Sequence, residues 1–409
     1  MQNNSLAVMV KYNFKTTWTS TAQLQFSDSQ ENGTCATLLP LFNAQPSDLD
    51  VDDFQTHFLS ADKLMLSDIL LNADEAATFR KQLVFTILHI IIKNGGKAFK
   101  KFDVDLEKHQ PVTDDKIKLH TTELHPLPTW NIDESSIVGN IAVDAAIVKE
   151  LQLEKRPDFW KTLRFHGGDQ LSLARFHAIE NIRAGQEHGY NAFFGSTWLP
   201  GLFHGKIADA TGTLFTHFGK PNTGAWNPGS LWFHNTRLNR LPITLTSLPS
   251  FRVCRDLIFV SLYARVLNCL LIVGEVNTLD QYLTKFGSWT SLEMHTEEIY
   301  DRFAQTSVAA QLRQDRSRAE QSSKDANVAA GDVVFENAVL FLRDALISRE
   351  FSDAVKAGDS GRVLLVLKMW ALSFRGNGQS KYAYEMLHLI HNFTKVWSKG
   401  IRYVKESYF

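Results

Sequence analysis

The stretch TLRFHGGDQLSLARFHAIENIR, residues 162–183, decides the fold that the sequence predicts. It begins as a short apolar strand, passes through two glycines to Asp169, and continues with apolar residues at helical spacing. A strand that hands over to a helix in this way places Asp169 at the carboxyl edge of a sheet, where open α/β folds usually carry their sites. Aspartate is also a common helix N-cap. The carboxylate is therefore predicted either to cap a helix or to belong to a site.

The rest of the chain favours strands at the front and helices behind. The segments LAVMVKYNF and TTWTSTAQLQF are rich in β-branched and aromatic residues, and turn residues at 27–34 predict a hairpin. Helical periodicity and end signals predict helices over 74–94, 137–151, 251–273, 291–315, 333–356, 360–373 and 380–398. The predicted fold class is α+β, with a mixed sheet in front and a large, mostly helical lobe behind.

Two domains are predicted on this basis. Residues 1–250 would form an α/β core with irregular loops, and residues 251–409 a mostly helical lobe. Residues 314–331 are polar, small and without apolar periodicity, which is typical of a flexible linker.

Composition indicates an intracellular globular protein. The chain has 409 residues, of which 44% are apolar and 21% charged. Its three cysteines are widely spaced, which gives no sign of a disulfide framework and predicts a nuclear or cytoplasmic location. The longest apolar run, residues 257–273, has Arg265 at its midpoint and is shorter than a membrane span of about 20 residues. We therefore expect a buried helix and no membrane partner.

Charge is balanced over the whole chain but uneven along it. The net charge is −1, whereas residues 360–409 carry eight bases against two acids. Such a basic end could contact the phosphates of DNA, and it could equally be an ordinary solvated helix face. The residues that would bind nucleic acid are the last bases of the chain, Lys395, Lys399, Arg402 and Lys405.

Several catalytic classes lack their motifs. The histidines between residues 166 and 234 show no HExxH or HxxxH spacing, which argues against a preformed zinc site. The chain has no phosphate-binding GxxxxGK[ST] loop and no GxSxG nucleophile elbow. Nucleotide hydrolysis and acyl transfer are therefore not predicted.

Six blocks of the chain together are similar to a known family. In order along the sequence, they resemble the domain of unknown function 6589 family, which is known mostly from mushroom-forming fungi. The blocks are ENGTCATLLPL (31–41), IDESSIVGN (132–140), GGDQLSLAR (167–175), PGLFHGKIAD (200–209), EFSDAVKAGDSGRV (350–363) and FRGNGQSKYAYEML (374–387).

The resemblance implies a fold and a chemistry. Members of the family look similar to genes carried by mobile elements, and their layout resembles ribonuclease H-like transposases with a helical insertion. In that fold an Asp on the first strand, an Asp at the end of a later strand and an acid on a late helix hold two Mg²⁺ or Mn²⁺ ions. The ions activate water and stabilise the leaving oxygen of a phosphodiester.

The resemblance also assigns roles to particular residues. Asp169 matches the second metal ligand by its position between strand and helix, and Glu385 and Asp344 are the two candidates for the third. His204 corresponds to a histidine that follows the second Asp in hAT-type transposases. Each acid on a late helix has an ordinary alternative, which is that of an exposed, solvated side chain.

Two departures from the pattern predict a degenerate site. Gly201 stands where the hAT-type enzymes carry Cys or Asp before the histidine. The first strand offers Tyr12 and Asn13, with no acid before Asp28, and a phenol cannot replace a carboxylate as a ligand of a hard metal. We therefore expect a nucleic-acid-associated protein with little metal-dependent cleavage. The alternative is a non-enzymatic interaction scaffold whose helical half binds a partner.

Overall fold

The structure is a computed structural model, and it describes residues 7–18, 29–42, 44–156, 158–185, 187–220, 227–322 and 332–406. Strands form in the front half, where β-branched residues are common. They are β1 Ala7–Trp18, β2 Ser29–Pro40, β3 His125–Pro126, β4 Arg164–Gly168 and β5 Ser196–Pro200.

Helices make up most of the described chain. The α-helices are α1 Val51–Ser60, α2 Leu66–Ile69, α3 Ala73–Asn94, α4 Asp103–Lys108, α5 Ile137–Glu150, α6 Gln170–Arg183, α7 Leu202–His217, α8 Leu231–Arg237, α9 Phe251–Gly274, α10 Leu279–Lys285, α11 Trp289–Phe303, α12 Thr306–Ser322, α13 Val333–Ala357, α14 Ser360–Gly376, α15 Ser380–His391 and α16 Lys399–Glu406. Short 3₁₀ segments occur at Pro46–Leu49, Lys97–Phe102, Leu153–Lys155, Phe159–Lys161 and Gly189–Ala192, and a π-helical turn at Asn392–Val396.

The strands form one mixed sheet in the order β3-β2-β1-β4-β5. β1 pairs antiparallel with β2 and parallel with β4, and β4 pairs parallel with β5. The pairing of Val8 with Phe165 confirms that the front of the chain lies beside the strand that precedes Asp169. The α+β class is also confirmed.

The predicted hairpin needs a correction. The turn was expected at residues 27–34, but β2 already begins at Ser29 and pairs with β1 along its whole length, from Trp18 opposite Ser29 to Ala7 opposite Pro40. The ladder of main-chain bonds along two long strands outweighs the local turn preference of the residues ENGT. Residues 19–28 lie outside the described part of the chain.

The chain divides into two compact units, and each is assembled from separate stretches. Unit 1 contains residues 1–70, 115–205 and 381–409, and unit 2 contains residues 71–114 and 206–380. The boundary predicted from the sequence lies at residue 250. The division differs from it, because the last helices of the chain belong to the same unit as the sheet.

The predicted linker at 314–331 is helical in its first part. Residues 314–322 continue α12, and residues 323–331 lie outside the described part. The helix is polar, but Arg313 binds Glu336 of α13, and Arg316 Nη1 donates to Glu336 Oε2 at 2.7 Å. These ion pairs connect α12 to its neighbour, although α12 lacks the apolar periodicity of a core helix.

Unit 1 has its core next to the strand and helix that flank Asp169. Leu173, Phe176 and Ile179 lie at helical spacing on α6 and pack against Phe193 and Trp198. The rings of Phe176 and Trp198 are stacked with centroids 3.6 Å apart. The core therefore fixes one face of α6 against the sheet.

A buried ion pair joins three helices in unit 2. Arg362 of α14 donates through Nε and Nη2 to the two carboxylate oxygens of Glu350 in α13, at 2.8 and 2.9 Å, and both side chains are fully buried. Thr86 of α3 donates its hydroxyl to the same carboxylate at 2.8 Å. Such a network fixes the helices in one arrangement only if all its members are present.

The most apolar helix of unit 2 is α9. Among the described residues it alone is long and apolar enough to cross a membrane by length and composition, and half of its most apolar window is buried inside the protein. A buried core helix meets the same criterion.

Candidate functional site

The junction between β4 and α6 shows what Asp169 does locally. Asp169 is the N-cap of α6, and its Oδ1 accepts a hydrogen bond of 2.8 Å from the backbone N–H of Ser172. Gly168, just before it, leaves little room, because a Cβ there would come within 3.3 Å of the Ser172 side chain. The capping role that the sequence offered is therefore present, and it occupies one oxygen of the carboxylate.

A second junction meets the first at the same edge of the sheet. β5 ends at Pro200, and the N–H of Gly201 donates to the carbonyl oxygen of Gly168 at 2.8 Å. His204 follows at the start of α7 and is half-buried. Because β4 and β5 are parallel, Asp169 and His204 both follow the carboxyl ends of neighbouring strands.

Glu385 comes to the same region from the far end of the chain. It lies on α15, is 2% exposed, and accepts a hydrogen bond of 3.5 Å from the Nε2 of Gln170, the first residue of α6. Burial raises the pKa of Tyr382, one turn earlier on α15, and the negative charges of Asp169 and Glu385 raise it further. The bond from Gln170, which directly follows Asp169, thus places these two predicted residues in the same region of unit 1.

A histidine neutralises Glu385. His177 Nε2 lies 3.6 Å from Glu385 Oε2, and its Nδ1 lies 3.4 Å from Glu180 Oε2. Burial lowers the pKa of His177, but its bonds to Glu180 and Glu385 outweigh this and raise the pKa to about 9. The ring is therefore a cation at neutral pH, held between two carboxylates.

The neighbours of His177 complete the cluster. The ring of His388 is stacked on that of His177 at 4.8 Å, and burial together with the charge of His177 lowers the pKa of His388. Trp198 donates its indole N–H to Glu180 Oε1 at 2.7 Å. A cavity of about 250 Å³ opens beside the cluster and has aromatic side chains, among them Phe54 and Trp198, in its wall.

The sequence did not single out the His177 cluster, although a signal was present. His177 and Glu180 are three residues apart on α6, and Glu385 and His388 are three residues apart on α15. This spacing puts each pair on one face of its helix. Only the tertiary structure brings the two faces together.

The second candidate for the third acid lies in unit 2. Asp344 of α13 accepts from His217 Nε2 at 2.8 Å and lies 2.7 Å from Arg343 Nη2. Burial raises the pKa of Asp344, but His217 and Arg343 outweigh it and the pKa is lowered. Both oxygens are committed within unit 2, so Glu385, which shares unit 1 with Asp169, is the stronger candidate.

The donor set does not fit the two metal ions that the resemblance implies. No group of three or more His, Cys, Asp or Glu side chains in the described ranges could hold a metal ion. Asp169 uses one oxygen as a helix cap, and Glu385 faces the cationic ring of His177. A positive charge beside a ligand opposes the binding of a second cation.

The basic residues near the C-terminus do not all lie free. Lys395 Nζ pairs with Asp68 Oδ1 at 3.0 Å, and Arg402 donates its Nε to the carbonyl oxygen of Trp397 at 2.9 Å. Lys399 is exposed at the start of α16. The side chain of Lys405 lies outside the described part. Lys399 is thus the base of this group best placed to meet a partner.

Fold and site together define an α+β protein with Asp169 at the carboxyl edge of a mixed sheet and a buried acid and histidine cluster beside it. The chain belongs to the family of unknown function DUF6589, whose model matches residues 58–407. No curated protein and no solved structure gives a match to the chain.

Proposed function

We propose that this chain is a mobile-element-derived, nucleic-acid-associated protein with a ribonuclease H-like core whose two-metal carboxylate site is degenerate. The observation that carries the proposal is that Gln170, the residue after Asp169, donates to Glu385 at 3.5 Å at the carboxyl edge of a mixed sheet. An acid after a later strand and an acid on a late helix are two of the three ligands that the resemblance implies.

The order of the elements supports the same proposal. The first strand, β1, lies in the middle of the sheet, beside the strand that ends at Asp169. The helix that carries Glu385 follows a long, mostly helical stretch, residues 206–380, which forms most of unit 2. This is the layout expected of a ribonuclease H-like transposase with a helical insertion.

The missing first ligand supports degeneracy. The register between β1 and β4 pairs Val10 with Gly167. Continued by two residues, it puts the backbone of Tyr12 opposite Asp169, where an acid would be required. His177 supplies the positive charge that neutralises Glu385 in place of a metal.

The proposal is tested with the full chain, a fluorescent DNA duplex of random sequence and the corresponding single strand. We expect weak, non-specific binding that falls steeply with salt, and no nicking with Mg²⁺ or Mn²⁺. Each phosphate contact contributes a slope of about −0.9 in log affinity against log salt, so Lys399→Glu should reduce the slope by about one contact. Lys155→Glu, the same charge reversal at an exposed site elsewhere in unit 1, is the matched control and should leave the slope unchanged.

Two results would count against the proposal. Robust metal-dependent cleavage that Asp169→Asn abolishes would restore an active enzyme. Absence of binding even at low salt would favour the interaction scaffold, in which the basic end is only a solvated surface.

A further inference from the structure

A charged residue in the middle of the most apolar helix requires an explanation. Arg265 lies at the centre of α9, and burial lowers the pKa of its guanidinium to about 10. A buried charge is costly unless it is paired with a charge of the opposite sign and fully hydrogen-bonded. An arginine of this kind normally faces a carboxylate.

The partners of Arg265 do not include a carboxylate. Its Nη2 donates to the carbonyl oxygen of Gly229 at 2.7 Å, and its guanidinium lies over the ring of Phe341 at 4.2 Å. Its Nη1 is buried and has no hydrogen-bond partner among the described residues. One face and one edge of the fork are thus used, and no described residue supplies a counter-charge to the guanidinium.

Arg265 lines a cavity of about 400 Å³ within unit 2. The wall is made by α9, by α13 and by the loop before α8, and most of it is apolar, as with Ile272, Phe303 and Leu342. None of the lining residues is Asp or Glu. Cavities of this size and character commonly bind small molecules with an apolar body.

His234, the other ionisable base that the described residues contribute to the wall, is neutral at pH 7. Burial lowers the pKa of His234 to about 4, with the charge of Arg265 acting in the same direction, and its Nε2 donates to the carbonyl oxygen of Pro228 at 3.2 Å. Among the described residues of the wall, Arg265 therefore supplies the one fixed charge at neutral pH, and that charge is positive.

We propose that this cavity binds an amphiphile with an anionic head, either a carboxylate or a phosphate, on an apolar chain. The head would face the guanidinium, whose planar fork matches both groups, and the chain would lie along the apolar wall. A cationic ligand would be repelled, and a neutral ligand would leave the charge of Arg265 uncompensated. The site lies in unit 2 and is independent of the proposed nucleic-acid function.

The test compares four eight-carbon probes on the full chain by isothermal titration calorimetry: octanoate, octyl phosphate, octanol and octylamine. We expect one anion to bind with 1:1 stoichiometry and at least tenfold more tightly than the alcohol or the amine. A preference for octanoate identifies free carboxylic acids as the ligand class, and a preference for octyl phosphate identifies phosphorylated lipids. Binding of octanol as tight as that of both anions, or no binding of either anion, would overturn the proposal.

Two variants locate the site. Arg265→Met should remove the tenfold preference for the anion, whereas Arg252→Met, at an exposed position on the same helix, should keep it. If Arg265→Met does not fold, Ala338→Phe fills the cavity from α13 while leaving the arginine in place, and it should abolish anion binding. If the preference for the anion survives in Arg265→Met, or in Ala338→Phe where Arg265→Met does not fold, the assignment of the anion site to this cavity is overturned.

Discussion

At the scale of single residues, Asp169 has a structural role before any chemical one. Its carboxylate caps α6, and the core residues on that helix pack against Trp198. The same side chain is one of two acids that act on Tyr382. Substitutions that separate the shape of the side chain from its charge can distinguish these roles.

We predict that Asp169→Ala lowers the free energy of unfolding by about 1 kcal/mol, the usual cost of losing an N-cap. Asp169→Asn should retain most of this stability, because the amide oxygen can accept the same hydrogen bond from the N–H of Ser172. Urea denaturation measures both, with Glu154→Ala as an exposed control. Equal losses in the two Asp169 variants would show that the charge, and not the cap, stabilises the junction.

His177 should make stability depend on pH. Its pKa is raised from 6.5 to about 9 by Glu180 and Glu385, so folding favours the protonated ring. The stabilisation is fully present below pH 6.5 and is lost as the pH rises through about 9. The difference between a pKa of 6.5 and one of about 9 corresponds to a contribution to the free energy of unfolding on the order of 3 kcal/mol.

The measurement is the urea midpoint at pH 6.5 and at pH 9.5 for the wild type and for His177→Gln. We expect the wild type to lose more stability over this range than the variant, whose amide does not titrate. The pKa of His388, which is stacked on His177, is lowered, so folding favours its neutral ring. Its contribution to stability is lost as the pH falls and therefore does not cause a loss between pH 6.5 and pH 9.5. Identical losses in the two proteins would contradict the assignment.

At the scale of elements, unit 2 depends on polar contacts between helices. Arg362 of α14, Glu350 of α13 and Thr86 of α3 meet in the interior, with the arginine and the glutamate fully buried. Helix α14 begins at Ser360, and its N-cap Asp359 accepts from the N–H of Thr113 at 2.9 Å. Specific helix packing here rests on satisfied polar groups as well as on apolar contacts.

Breaking this pair should cost much more than replacing it. We predict that Arg362→Met or Glu350→Met alone destabilises the protein by about 3–5 kcal/mol, since each leaves a buried charged partner unpaired. The double variant Arg362→Met with Glu350→Met should be less damaging than the sum of its single variants. Chemical denaturation checks this double-mutant cycle, and additive losses would mean that the two side chains are not coupled.

At the scale of the whole molecule, the candidate site depends on segments far apart in the chain. β1 lies beside β4, and Gln170 donates to Glu385 across 215 positions of sequence. The proposed degeneracy of the site can therefore be tested by restoring one residue near the beginning of the chain.

We predict that Tyr12→Asp increases the affinity for Mn²⁺ at least tenfold, because the register of β1 and β4, continued by two residues beyond the pair Val10–Gly167, puts position 12 opposite Asp169. Thr16→Asp, four residues further along β1, is the matched control and should have no effect. Calorimetric titration with Mn²⁺ measures both. Unchanged affinity in Tyr12→Asp would count against the ribonuclease H-like proposal.

Local features of the chain could be predicted from the sequence. The predicted helix over 74–94 is confirmed as Ala73–Asn94, where Asn72 and Glu75 form a capping box. The predicted helix at 360 is confirmed as well, with Asp359 as its cap and Gly358 in the left-handed conformation before it. Caps, glycine turns and helical periodicity act between residues only a few positions apart, so they can be predicted from a short stretch.

The sequence by itself thus determined the α+β class, most ends of the helices that it predicted and the position of Asp169 between a strand and a helix. The helix predicted over 291–315 was wrong, because the chain forms two helices there, Trp289–Phe303 and Thr306–Ser322. Only the tertiary structure decided that β2 begins within a turn-like stretch, that the last helices join the sheet in unit 1, and that His177 lies between Glu180 and Glu385. These features depend on burial and on contacts between distant segments. Their energies arise from packing in the folded chain and have no counterpart in local sequence preference.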